Sequence, residues 1–90
     1  MPLFTLVYAK SRNETVRVGF SVSKRIGNAV QRNRAKRRMR AALTPMLLHI
    51  SGSCNVIFVA KPSVLDAPFS ELGNQMETLI RRAGLWRDEA

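Results

Sequence analysis

Eight cations fall between Lys24 and Arg40 with no acid among them: Lys24, Arg25, Arg32, Arg34, Lys36, Arg37, Arg38 and Arg40. No Asp or Glu occurs anywhere from Thr15 through Leu65. A helix that only has to stay soluble mixes its signs. Like charges at i, i+4, such as Lys36 with Arg40 or Arg34 with Arg38, weaken it. Six of the eight cations are Arg. The planar guanidinium grips phosphate through two parallel hydrogen bonds and stacks on bases, which an ammonium does not. The chemistry this segment suits is the holding of a polyanion.

No comparable set serves bond breaking. His49 is the only histidine and sits in an apolar stretch, so it reads as structural or surface. Glu71 and Glu77 stand too far apart on one helix to act as an i, i+3 or i+4 carboxylate pair. Cys54 is the only cysteine, which excludes an intramolecular disulfide and a Cys-based zinc site. Beside Val56 and Ile57 it reads as a small buried hydrophobe. No glycine-rich phosphate loop is present. Catalytic residues and metal ligands are therefore not expected in this chain.

The bulk properties agree. Fifteen Lys and Arg against six Asp and Glu give a net charge of +9 over 90 residues. Solubility alone asks for about 2–8 in a small domain. Nucleic acid is the expected partner, with an anionic membrane surface as the alternative. No signal peptide and no apolar run of about 18 residues appears, and a reducing, cytoplasmic setting is expected.

These cations need elements to position them, and the hydrophobic pattern supplies a forecast. Leu3 to Ala9 reads as a strand. A polar turn follows over residues 10–14. Thr15 to Ser23 alternates strictly, with Val16, Val18, Phe20 and Val22 on one side and Arg17, Gly19, Ser21 and Ser23 on the other. The two strands are expected to form an antiparallel hairpin. Asn28 is the expected N-cap of a helix to about Leu43, which Thr44-Pro45 breaks or kinks. Ser51-Gly52-Ser53 reads as a loop, and Asn55 to Ala60 as a buried strand. A last helix is expected from about Ser70 to Arg82, capped by Ser70, with Leu72, Met76, Leu79, Ile80 and Ala83 as its apolar stripe. Trp86, just beyond it, is expected to pack against the domain edge, with stacking on RNA as the alternative. The order strand, strand, helix, strand, helix gives a single α+β domain over residues 1–90, a two-layer sandwich.

At 100° per residue, Ala35, Met39, Ala42, Leu43 and Met46 form one stripe of the first helix, toward the sheet. Lys36, Arg40, Asn33, Arg37, Arg34 and Arg38 spread over the opposite arc. Arg32 projects onto the apolar side. In the first turn it either reaches past the core edge to a ligand or lays its stem over the rim. The helix N-terminus at Asn28 and Gly27 adds unpaired amides and a positive dipole end.

From Arg17 to Arg40 the chain resembles the protein subunit of bacterial ribonuclease P. The Arg-Asn-Arg triplet Arg32-Asn33-Arg34, followed by Lys36-Arg37, is a weak signal alone. Preceded by Val18-Gly19-Phe20-Ser21-Val22-Ser23-Lys24 and Gly27-Asn28-Ala29-Val30, it is highly specific. The likeness runs more loosely through Val59-Ala60-Lys61-Pro62 to the final helix.

The resemblance implies a fold like the second domain of ribosomal protein S-five, with a left-handed crossover. It implies an accessory subunit of an endoribonuclease whose catalytic RNA, with magnesium, removes the 5′ leader of precursor tRNA. The protein alone would bind no cofactor, no membrane and no obligate protein partner. Lys24, Arg25, Asn28, Arg32, Asn33, Arg34, Lys36, Arg37, Arg38 and Arg40 would meet the catalytic RNA. Arg17, Ser21 and Ser23 share one sheet side, and with Lys61 they would form the floor of a cleft for the single-stranded leader. A plain solvated face is the alternative. Tyr8 joins them if its side chain takes the same face, which alternation does not settle. The family carries an N-terminal helix that walls this cleft, whereas here Met1-Pro2-Leu3 leads straight into the first strand. Docking on the catalytic RNA is expected to survive that difference, and discrimination of precursor from mature tRNA to weaken. Another structural RNA-binding protein is the competing reading, and a self-sufficient nuclease the third.

Overall fold

The alternation in the segment Cys54–Ala60 organises the molecule. In a computed structural model, which describes residues 3–10, 16–50 and 54–88, Cys54, Val56, Phe58 and Ala60 are buried, while Asn55 and Ile57 on the other face are exposed. Among the described residues three strands carry the sheet: β1 (Phe4–Lys10), β2 (Arg17–Ser21) and β3 (Cys54–Ala60). With them stand two helices, α1 (Ala29–Leu43) and α2 (Phe69–Arg82), and 3₁₀ turns at Lys24–Ile26, Thr44–His49 and Pro62–Leu65. The turn predicted after Lys10, at residues 11–14, and the loop predicted at 51–53 lie outside the described residues.

The expected hairpin does not form. The strand order is β1-β3-β2, with β3 antiparallel to β1 and parallel to β2. The central place goes to the strand that carries no charge on either face, and the strands bearing Lys10 and Arg17 take the edges, where charge is tolerated. α1 is the crossover that joins parallel β2 to β3. Nor is β3 covered on both faces as an unbroken apolar run suggests, since Ile57 is 42% exposed.

Both helices pack on one sheet face. Met39 and Ala35 of α1 meet Leu72, Met76 and Ile80 of α2 in a core shared with Phe4, Val56 and Phe58. Phe58 is its centre, edge-on to Phe4 (centroids 5.9 Å apart, 72°) and near-parallel to Phe20 (6.3 Å, 23°). The predicted stripes hold for both helices. α1 stops at Leu43, and Pro45 opens the 3₁₀ turn that buries Met46. α2 begins one residue before Ser70 with Pro68 at its N-cap, so Ser70 does not cap it. The buried Gln75 side chain accepts from Leu3 N (3.0 Å) and donates to Glu71 (3.2 Å), fastening α2 to the start of β1.

Candidate nucleic-acid interface

The basic helix is positioned from its first turn. Asn28 Oδ1 accepts from Gln31 N and Gln31 Oε1 accepts from Asn28 N, both at 3.0 Å, a reciprocal capping box. Gly27 precedes it at φ 142°, where a Cβ would lie 1.8 Å from Gln31 Oε1, so the cap requires glycine there. Ser23 does not continue β2 as the alternation predicts. Its Oγ accepts from Arg25 N (3.3 Å) and caps the Lys24–Ile26 turn, which leaves both Lys24 and Arg25 exposed just ahead of α1.

Along α1, Asn33, Arg34, Lys36, Arg37 and Arg40 are exposed on the face away from the core. Asn33, Lys36, Arg37 and Arg40 line one shallow depression beside the exposed Val30. Arg32 is half-buried at the rim, between the two positions its wheel angle allows. The ion pairs among the described residues lie elsewhere, Arg81 with Glu77 (3.2 Å) and with Asp88 (3.6 Å). Among the described residues no carboxylate offsets the charge of this face, so it attracts anions over a Debye length of about 10 Å.

Arg38 departs from the wheel. It is half-buried, and its guanidinium donates to three carbonyls: Val64 O (2.7 Å), Leu65 O (2.8 Å) and Ala67 O. It is bound to the segment that leads into α2, not presented as an outward cation. The residue type gives no hint of this, because the partners are backbone atoms distant in sequence.

Among the described residues, no helix covers the second sheet face. Register places Thr5, Val7 and Ala9 of β1, Asn55, Ile57 and Val59 of β3, and Arg17, Gly19 and Ser21 of β2 on it. Arg17 and Ser21 therefore share one open face, with Ile57 of β3 42% exposed next to them and Val7 of β1 52% exposed beyond it. Lys61 follows β3 directly, half-buried, its amide donating to Leu3 O (2.9 Å). Tyr8 does not join them. It pairs with Val56 and so points to the helix side.

At the far end, His49 and Trp86 stack with centroids 4.7 Å apart and planes 4° from parallel. Arg81 lies 4.6 Å over the indole, and His49 Nδ1 donates to Arg87 O (2.9 Å). Trp86 thus packs against the domain edge, as expected, and His49 is structural. No helix among the described residues is long and apolar enough to cross a membrane.

Comparison with known proteins places this geometry. The sequence model of the family described as Ribonuclease P matches residues 2–84. The chain is 42% identical over 85 residues to the ribonuclease P protein component of Chloroflexus aurantiacus, covering 93% of this chain and 63% of that protein. It is 41% identical over 73 residues to the same component of Symbiobacterium thermophilum, covering 81% of this chain and 64% of the relative. The chain thus spans less than two thirds of the length of both relatives. Among solved structures, the RNase P protein of Staphylococcus aureus superposes with a TM-score of 0.82 at 27% identity, over 97% of this chain and 80% of that one. The RNase P protein of Thermotoga maritima gives 0.79 over 89% of this chain and 76% of its own, and at 19% identity shares the fold alone.

Proposed function

Because the chain belongs to the ribonuclease P protein family, we propose that it is an RNA-binding accessory subunit of that endoribonuclease, with α1 docking on the catalytic RNA. The observation that carries this reading is the exposed, acid-free face of Arg34, Lys36, Arg37 and Arg40, set by the Asn28–Gln31 capping box. Lys24, Arg25 and the N-terminal amides of α1 extend the same anion-binding surface. Arg32 adds a cation at the rim.

The open sheet face is the second half of the proposal. Arg17 and Ser21 supply charge and hydroxyl beside Val7 and Ile57, a surface suited to single-stranded RNA, here the 5′ leader of precursor tRNA. Hydrolysis belongs to the RNA and its magnesium. The protein supplies affinity and positioning, which act by holding the reacting groups in place.

Reconstitution tests this reading. Protein added to ribonuclease P RNA at low magnesium is expected to restore 5′ leader removal from precursor tRNA, and protein alone to leave the precursor intact. Robust cleavage by nuclease-treated protein, or no stimulation of the RNA, would overturn it.

A further inference from the structure

Tyr8 belongs to neither half of that proposal. Its register opposite Val56 turns the side chain toward the helices, yet the residue is 50% exposed while Val56 is 1% exposed. The reason lies in where α2 ends. The helix runs alongside β1, from Gln75 at Leu3 to Arg82 and Ala83 beside Tyr8, and there it stops. Gly84 at φ 73°, with Gly84 N bonded to Arg81 O and Leu85 N to Ile80 O (both 3.0 Å), closes it in a Schellman turn. The chain then leaves for His49 and Trp86. A groove of about 330 Å³ remains, with Leu6, Tyr8, Leu79, Arg82 and Ala83 around it and Phe4 at its base.

We propose that this groove is a second single-stranded RNA subsite, taking one base against the Tyr8 ring and the adjoining phosphate at the Arg82 guanidinium. The inference rests on the reading of this chain as an RNA-binding protein, but it uses neither α1 nor Arg17 and Ser21, and it meets the outer sheet face only at the edge residue Thr5. An aromatic ring beside a cation is the minimal platform for an unpaired nucleotide, through stacking and charge. Among the described residues no carboxylate lines the groove, and Lys10 lies two residues on along the same side of β1.

The helix end decides which part of the nucleotide enters. The carbonyl end of α2 carries the negative pole of the helix dipole, which favours Arg82 there and repels an anion placed directly against it. The uncharged base goes into the groove, and the phosphate stays outside on the guanidinium. β1 is an edge strand, paired with β3 alone among the described strands. A strand of RNA lying on the outer face at Val7 therefore reaches the groove by passing over that edge.

The test is an amide-resolved NMR titration of the whole chain with a short oligoadenylate. Resonances of Leu6, Tyr8, Arg82 and Ala83 are expected to move. Tyr8→Leu should weaken the affinity read at those amides about fivefold or more, and Tyr8→Phe should retain it, since stacking needs the ring and not the hydroxyl. Shifts confined to α1 and the outer sheet face would overturn the subsite and leave the RNA-binding reading standing. An unchanged affinity in Tyr8→Leu would do the same. No shift anywhere would overturn both. Movement of the same amides with protein concentration alone would assign the groove to a second copy of the chain instead.

Discussion

The guanidinium of Arg38 donates to the carbonyl oxygen of Val64 at 2.7 Å and, through its other amino group, reaches Ala67. An arginine inside the basic run therefore holds α1 to the approach of α2. Removing it leaves carbonyls in a part-buried segment without their charged donor, at a cost of about 2–3 kcal/mol. Arg38→Ala is expected to lower the melting temperature by about 10 °C or more. At a temperature where the variant is folded, the slope of RNA affinity against salt should match the parent. A flatter salt slope with an unchanged melting temperature would make Arg38 an RNA contact after all.

Arg34 and Arg37 should behave in the opposite way. Both are exposed on the outer face of α1. Removing one cation that touches a phosphate should flatten the log–log dependence of binding on salt by about 0.7–0.9. Arg34→Ala and Arg37→Ala are expected to do this with melting temperatures close to that of the parent. The measurement is affinity for ribonuclease P RNA across a salt series, with calorimetry alongside.

Gly27→Ala addresses the cap. The added Cβ falls on Gln31 Oε1 and the residue must keep φ 142°. The change is expected to cost about 1–2 kcal/mol through disruption of the cap and backbone strain. Urea denaturation reads it. The variant should also weaken RNA binding, because the first turn of α1 no longer holds Arg32 and Arg34 in place.

Burial raises the Cys54 thiol above its ordinary value of 9.0. The folded state then keeps a proton that the unfolded state releases. Stability from this residue is complete below that value and declines as pH rises above it toward the folded value. Denaturation midpoints measured up to about pH 10 should fall more steeply for the parent than for Cys54→Ala. Alkylation of the thiol in the folded protein should be slow, since the residue is 2% exposed.

The local rules in the sequence carried far. The Asn28 N-cap, the stripe from Ala35 to Met46 and the Pro45 break are local effects, and they set α1 almost to the residue; the partner Gln31 in the cap came only with the structure. Strand partnership is not local. Adjacent strands usually pair, and nothing in β1 or β2 alone reveals that β3 will lie between them. Alternation gives the two sides of a strand but not which side is inward, and so Tyr8 needed its register with Val56. Arg38 escaped for a further reason. A wheel angle locates a Cβ, whereas a guanidinium several bonds away turns sideways to carbonyls that no periodicity reports. Arg38 apart, the acid-free face of α1 was legible, because like charge on one side of a helix is a property of composition and spacing.

The order β1-β3-β2 also sets a timetable. Phe4 pairs with Ala60 and Arg17 with Asn55, so among the described strands β1 and β2 have no partner until β3 arrives. On a ribosome the chain emerges from its N-terminus, and the sheet cannot close while β3 is still inside the exit tunnel. Helix α1, with its cap encoded in the short stretch from Asn28 to Gln31, can form before that. The nascent protein thus presents its cationic segment ahead of its core, and long-range closure governs the rate of the last step.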